Sequence, residues 1–397
     1  MTELRRFSNL PEYAFPRLRN LLKNTSPGST PIDMHIGAPR HPYPGFILKQ
    51  IIKNAESFSL YPPNEGTSEL RLSISNWIKQ RYDIDSVDPD KNIMVLNGSR
   101  EGLFNSTLAL SPIRKNKVKP FILMPNPFYQ CYMVAAKASG AIPIFLPTES
   151  ENDFLPNIDN ITKTILENTT IIFLCSPSNP QGAIISQSYW ERVLRLAEKY
   201  DFLIFSDECY SEIYYGIKPP GILQAAANLG TDPNRVVVFN SLSKRSNLAG
   251  LRSGFVASGE LNITELKKLK AYTGAPSPIP LQLAAAAAWA EETHVIENRK
   301  LYKKKLAISK GILEELPAFF TPSAGFFLWL EVNNDEVTAL NLWEKYGVKV
   351  LPGSYLSNSS TDAYKKNNPN YIRIALVGSE SEVEAGCTSI FNYLTKN

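Results

Sequence analysis

Seven short apolar runs, set between longer amphipathic stretches, constrain this chain more than any other feature. They lie at Ile93–Asn97, Phe121–Met124, Ile142–Leu146, Thr170–Cys175, Phe202–Ser206, Arg235–Asn240 and Gly254–Ser258. Several are continuous in Val, Ile, Leu and Phe, the pattern of strands covered on both faces. The intervening stretches, such as Gln187–Lys199, repeat apolar residues at helical spacing. Strands alternating with helices predict an α/β domain around a mostly parallel, seven-stranded sheet. Such sheets bind ligands outside the carboxyl ends of their strands. Polar clusters follow Asn97, Cys175, Ser206 and Asn240, at those ends.

The texture changes near Pro280. Leu281–Ala290 is alanine-rich and helical, and Glu291–Glu315 continues as a long charged helix. Phe326–Val332 and Tyr371–Val377 read as strands of a smaller α+β domain. The expected division is an arm over residues 1–45, a large ligand-binding domain over 46–280 and a small domain over 281–397. The arm is proline-rich and reads as irregular, with Met34–Ile36 joining the small domain. Ser357–Asn370 reads as a surface loop.

Composition narrows the function classes. A net charge of +4 over 397 residues argues against nucleic acid. Four cysteines, with no CxxC pair and no metal spacing to the three histidines, predict free thiols, a reducing compartment and no metal site. No stretch approaches the ~20 apolar residues of a membrane span, and Met1–Phe7 lacks the apolar core of a signal peptide. A soluble cytoplasmic protein is expected.

The polar clusters carry chemistry, and each also has a plain structural reading. Asn97-Gly-Ser-Arg-Glu-Gly102 opens a helical pattern, where backbone N–H groups and Ser99 suit a phosphate, though any tight strand-to-helix turn looks similar. Phe128 and Tyr129 offer a ring to stack on a ligand or to cap the core. Asn179 either donates to a ligand oxygen or closes an Asx turn. Asp207 ends an apolar strand, where a carboxylate needs a cation, a strong donor or water; Tyr210 follows it by three residues. The run Ser241-Leu-Ser-Lys-Arg-Ser-Asn-Leu-Ala-Gly-Leu-Arg252 supplies an amine able to condense with an aldehyde, plus hydroxyls and a guanidinium able to hold a phosphate. Pyridoxal 5′-phosphate carries both groups. Each plain reading is respectable separately; phosphate donors, ring, amide, carboxylate, tyrosine and amine at successive strand ends point jointly to that cofactor.

In this order the residues resemble the fold-type I, pyridoxal-phosphate-dependent aminotransferases of class I/II. The marks are Asn179-Pro-x-Gly182, Asp207-x-x-Tyr210, Ser241-x-Ser-Lys244 and Arg252. Within that family, His35-Ile-Gly-Ala-Pro-Arg-His-Pro42, Asp207-Glu-Cys-Tyr-Ser-Glu-Ile-Tyr214 and Ala324-Gly-Phe-Phe-Leu-Trp329 look most like the succinyldiaminopimelate aminotransferases of bacterial lysine synthesis. Ala38 and Ala249 depart from the acidic residue and the proline usual there, and an arginine expected after Leu356 is missing.

The resemblance implies that Lys244 holds the cofactor and moves the proton, while Asp207 faces the pyridine nitrogen. Tyr210 and Asn179 would bond the ring oxygen, and Tyr129 would stack on the ring. Ser99, Arg100 through its backbone, Ser241, Ser243 and Arg252 would hold the phosphate. Tyr61 would reach the neighbouring subunit's phosphate in a homodimer with shared sites. Arg373 and Gly37, with Asn179, would receive the substrate α-carboxylate. Glutamate would load the amine and leave as 2-oxoglutarate, and N-succinyl-2-amino-6-oxopimelate would accept it, in ping-pong fashion. A role in binding far carboxylates is open to Arg40, Arg100 and Arg245. Other readings are an aminotransferase for aromatic, alanine or N-acetylornithine-type substrates, a β-lyase, or a cofactor-sensing protein without turnover. A nicotinamide-dependent dehydrogenase is disfavoured by the lack of GxGxxG after the first strand.

Overall fold

The structure, a computed structural model, describes residues 7–8, 10–85, 87–274, 277–358 and 370–396. Twelve strands are defined among them: β1 (Ile32–Asp33), β2 (Ile93–Leu96), β3 (Phe121–Asn126), β4 (Ile142–Pro147), β5 (Thr169–Cys175), β6 (Leu203–Asp207), β7 (Val236–Ser241), β8 (Gly254–Ser258), β9 (Phe327–Val332), β10 (Val348–Lys349), β11 (Leu351–Pro352) and β12 (Asn370–Ala375). All seven apolar runs become strands of one sheet in the order β2-β8-β7-β6-β5-β3-β4. Its pairs are parallel except those of β8, which runs antiparallel to both neighbours.

Side-chain alternation explains why the runs are apolar throughout. Ile172, Ile204, Val236 and Val238 face one buried layer with Trp190, Val193 and Leu194 of the helix Gln187–Tyr200. Their neighbours Phe173, Phe205, Val237 and Phe239 face the opposite layer with Leu103, Tyr132 and Leu266. Each such side chain, removed from water, contributes about 1.5–3 kcal/mol, so neither face tolerates a polar residue until the strand ends. There polarity returns: Cys175 on β5 lies in register with Asp207 on β6, which lies in register with Phe239 on β7, two residues before Ser241.

A second sheet, β11-β12-β9, is antiparallel, and β1 pairs in parallel with β10. Leu328, Leu330, Ile372 and Ile374 pack there against Leu306 and Leu313 of the helix Thr293–Leu313 and Ile390 of the helix Glu380–Lys396.

Three local expectations change. The arm contains a helix, Ala14–Leu22, whose Leu18 and Leu22 bury against Leu351 and Tyr355. Pro16 falls in its first turn, where no intrahelical donor is needed. The strand near Met34 lies at Ile32–Asp33, and Met34 continues the link, donating to the Lys349 carbonyl and accepting from Ala375 N–H at 2.9 and 2.7 Å. The long helical run from Leu281 is two helices, Ile279–Trp289 and Thr293–Leu313. Between them the Glu291 carboxylate accepts from the N–H groups of Thr293 and His294 at 2.6 and 3.1 Å, which starts a new helix. Of the expected loop Ser357–Asn370, residues 359–369 lie outside the described residues.

Candidate active site

The polar ends of β5, β6 and β7 open into a cavity of ≈ 480 Å³. Twelve of the thirteen sequence candidates line it: Gly37, Ser99, Arg100, Tyr129, Asn179, Asp207, Tyr210, Ser241, Ser243, Lys244, Arg252 and Arg373. Tyr61 does not; it is 101% exposed on the outer surface.

At one end, two turns converge. Gly98 holds φ at +89° and precedes the helix Ser99–Leu110. A Cβ on Gly98 would collide with the Arg252 guanidinium, so only glycine lets that cation reach the helix N-terminus. Arg252 donates to the carbonyls of Ala249 and Asn97, each at 2.9 Å, and pairs with no carboxylate among the described residues. Ser241 caps the short helix Leu242–Arg245, its Oγ accepting from Ser243 N–H at 3.1 Å and donating toward Ser243 Oγ at 2.9 Å. Unpaired guanidinium, hydroxyls and helix N-terminal amides form a cradle for a dianion.

Asp207 lies on the floor, 6% exposed. Its Oδ2 accepts from Tyr132 Oη at 2.7 Å and its Oδ1 from Cys209 N–H at 3.3 Å. Burial raises its pKa, and those two bonds work against the rise by favouring the carboxylate. No cation contacts it among the described residues, so it presents a buried acceptor to whatever occupies the cavity. Tyr132 is the residue that sequence reasoning missed. It sits one helical turn beyond Tyr129 on the helix Gln130–Ala138, and its ring stacks on Phe173 at 4.5 Å, which aims the hydroxyl at the end of β6. The spacing of Tyr129 and Tyr132 was a readable signal.

Lys244 lies on the helix Leu242–Arg245 and donates from Nζ to the Gly37 carbonyl. Burial lowers its pKa to about 8, with Arg373 and Arg100 pushing the same way and Asp207 opposing. Near neutrality this amine is far readier to lose its proton than a surface lysine. Tyr210 is buried with its ring edge-on to Phe326 and Phe327, and burial raises its pKa.

Arg373, on β12, closes the other end. It donates to Asn179 Oδ1 at 3.2 Å and to the His35 carbonyl at 2.9 Å, and its carbon Cζ lies 4.3 Å from the Phe327 ring centre. Its Nε has no hydrogen-bond partner, and no carboxylate among the described residues pairs with it. Burial lowers its pKa to about 10. A buried guanidinium without a counter-ion is an anion site, because leaving it unpaired costs several kcal/mol.

Of the three arginines considered for distant carboxylates, only Arg100 lines the cavity, its Nε donating to Tyr129 Oη at 2.5 Å. Arg245 is buried elsewhere, donating to the Ala288 and Glu291 carbonyls and pairing with Glu292. Arg40 pairs with Glu382 at 3.2 Å and Asp33 at 4.0 Å near the surface. Phe128 and Tyr129 both reach the cavity; Phe128 also packs on Phe145, whereas Tyr129 is held by Arg100.

Residues 29–390 match the family model described as aminotransferase class I and II. The chain belongs to this family. It is 30% identical, over the whole length of both chains, to an LL-diaminopimelate aminotransferase of Natranaerobius thermophilus. It is 29% identical to another of that name from Dehalococcoides mccartyi, over 98% of each chain. Among solved structures it resembles an aminotransferase from Neisseria meningitidis, with a TM-score of 0.92, 38% identity and coverage of 98% and 99%. The chain is therefore a pyridoxal-phosphate-dependent transaminase of the fold-type I architecture, acting on amino acids and 2-oxo acids. The cavity fits that cofactor: a low-pKa amine for its aldehyde, a buried carboxylate for its ring nitrogen and a cationic cradle for its phosphate.

Proposed function

We propose that this aminotransferase moves an amino group from glutamate to N-succinyl-2-amino-6-oxopimelate, a step of diaminopimelate and lysine synthesis. One observation carries the choice of substrate. Four of the charged side chains lining the cavity are cationic, Arg100, Lys244, Arg252 and Arg373, and Asp207 is the single acid among the described ones. Cofactor aldehyde, phosphate and ring nitrogen match Lys244, Arg252 and Asp207, which leaves Arg373 and Arg100 for substrate carboxylates. With Asp207 taken by the ring nitrogen, a free distal ammonium finds no further carboxylate among the described lining residues; succinylation removes that charge and adds an anion. The second reading is LL-diaminopimelate itself, supported by the names of the relatives.

Pyridoxal phosphate, when bound, supplies an aldehyde and an electron-withdrawing ring. Arg373 grips the substrate α-carboxylate with parallel N–H bonds, oriented by Asn179 and backed by Phe327. The Lys244 amine, with its lowered pKa, would take the proton from the substrate Cα and return one in the second half-reaction. Asp207 would hold the proton on the ring nitrogen, and the Tyr132 hydroxyl favours the ionised form of Asp207. Tyr210 and Asn179 would donate to the ring oxygen, Tyr129 would cover the ring face, and Ser99, the Arg100 N–H, Ser241, Ser243 and Arg252 would retain the phosphate.

We further propose a homodimer in which Tyr61 completes the partner's phosphate site, supported by the exposed run Leu48, Ile52, Phe58, Leu60 and Tyr61. The division at residues 45 and 280 and a cytoplasmic location, supported by four free thiols, complete the proposal. No helix of the described residues is long and apolar enough to cross a membrane.

The test is a half-reaction panel read by the cofactor's visible absorbance. Glutamate should bleach it, and N-succinyl-2-amino-6-oxopimelate should restore it faster than other 2-oxo acids. Bleaching by LL-diaminopimelate with no response to the succinyl compound would establish the second reading. Ammonia and pyruvate released without an acceptor would establish a β-lyase.

A further inference from the structure

Behind Lys244 runs a polar chain that none of the strand-end motifs contains. The helix Thr293–Leu313 carries Asn298 and Lys305, which are 4% and 3% exposed. The segment after Gly37 brings the His41 ring between them. Lys305 has only hydrogens to give, so its 2.5 Å contact with His41 Nε2 requires that nitrogen to accept. The neutral ring then carries its proton on Nδ1 and donates to Asn298 Oδ1 at 2.7 Å. Asn298 Oδ1 also accepts from Asn247 Nδ2 at 3.2 Å. With that oxygen engaged, Asn298 Nδ2 faces the carbonyls of Lys244 and Arg245, at 3.3 and 3.4 Å. The bonds therefore run in one direction, from Lys305 through His41 and Asn298 to the backbone of the reacting lysine.

The same segment holds Lys244 at its other end, since the Gly37 carbonyl accepts from Nζ. A short stretch thus grips both the tip and the root of one side chain. His41 also packs on Tyr302 at 4.5 Å, Tyr302 stacks on Phe326 at 5.2 Å, and Lys244 Nζ lies 5.4 Å from the Phe326 ring centre. None of His41, Asn298 or Lys305 lines the cavity, so none can touch substrate.

We propose that Lys305, His41 and Asn298 are positioning residues, a directional relay that fixes where the Lys244 amine stands relative to the substrate carbon. The inference rests on the reading of Lys244 as the reacting amine. A satisfied buried polar network is rigid, and proton transfer is sensitive to small displacements of the group that performs it.

Wild-type enzyme is first treated with pyridoxal phosphate and borohydride, and the labelled peptide is identified. No adduct on Lys244 removes the underlying reading, and the relay with it, before any variant is made. With the adduct found, His41→Leu, His41→Gln and Lys305→Met are compared in the glutamate half-reaction and by circular dichroism of the cofactor's visible band, which reports how the cofactor is held. Gln keeps an amide oxygen able to accept from Lys305 near the Nε2 of the histidine it replaces. His41→Leu and Lys305→Met should lower the maximal rate about tenfold, change the half-saturating glutamate concentration less than about twofold, and weaken the visible dichroism. His41→Gln should retain both. Thermal unfolding is followed in parallel. Variants that lose only Tm, or a His41→Gln no better than His41→Leu, would reduce the chain to a structural clamp and overturn the proposal.

Discussion

Ser99, Ser241 and Ser243 come from two strand-to-helix turns, and Arg252 from the turn leading into β8, all at one side of a single sheet. Arg373 and Gly37, which meet beside Phe327 at the opposite end of the same cavity, come from segments more than three hundred positions apart. The first end is rigid because its side chains leave strands buried on both faces; the second is assembled by packing between the two sheets. A chain built this way can change what it accepts with little disturbance to what it does, because neither Arg373 nor Gly37 is given a part in holding the cofactor. Variants at the sheet end should fail with every substrate, and variants at the assembled end should lose substrate binding while keeping the cofactor.

The largest effect belongs to the group at the junction of the two ends. Lys244→Ala should lower transamination by about 10³-fold or more, since both covalent capture and proton transfer are lost, while circular dichroism in the far ultraviolet stays native. Arg373→Gln should lower kcat/KM for amino acids by about 10²–10³-fold through loss of a buried charge pair. Its cofactor affinity should be unchanged in a fluorescence titration; a parallel loss there would erase the distinction between the ends. Asp207→Asn should lower kcat by about 10²-fold in both half-reactions, the value of one charge-assisted bond. Substrate-selective loss in this variant would equally break the comparison.

That asymmetry also decides what the sequence could disclose. The seven strands were legible because burial on both faces leaves a continuous apolar signature, and the chemistry sat where each signature stopped, at Asn97, Cys175, Asp207 and Asn240. Arg373 was legible by resemblance, but its lack of a counter-ion was not, since pairing is a property of the folded surroundings. The helix Ala14–Leu22 was masked by the prolines around it, and its support comes from Leu351 and Tyr355, more than three hundred positions away. Arg245 and Arg40 show the converse. A cation beside a reactive lysine looked available for ligand, yet helix geometry turns Arg245 away from the cavity toward Glu292. The helical spacing of Tyr132 from Tyr129 was legible, but its partner was not, since Asp207 lies 75 positions away at the end of β6 and meets it only through the fold.

The smallest effect sharpens the comparison most, because it concerns a residue of the sheet end that touches the cofactor only through Asp207. Burial raises the Asp207 pKa, and the Tyr132 hydroxyl holds it back by bonding the ionised form. Tyr132→Phe deletes the donor and leaves the stack on Phe173, so the Asp207 pKa should climb further. In the cofactor-free protein, a carboxyl whose folded pKa lies above its unfolded value contributes stability below the unfolded pKa and loses it as pH rises through the folded one. Tyr132→Phe should therefore lose more stability than wild type as pH is raised from the acid side towards neutrality, measured by Tm across that range. With cofactor bound, kcat should fall only about fivefold, the worth of a single hydrogen bond, and equally in both half-reactions. The acid limb of the pH–rate profile should move to higher pH, since the carboxylate is harder to keep ionised. An unmoved acid limb would mean that the hydroxyl packs beside Asp207 without tuning it, and the sheet end would then hold its charge by burial and backbone alone.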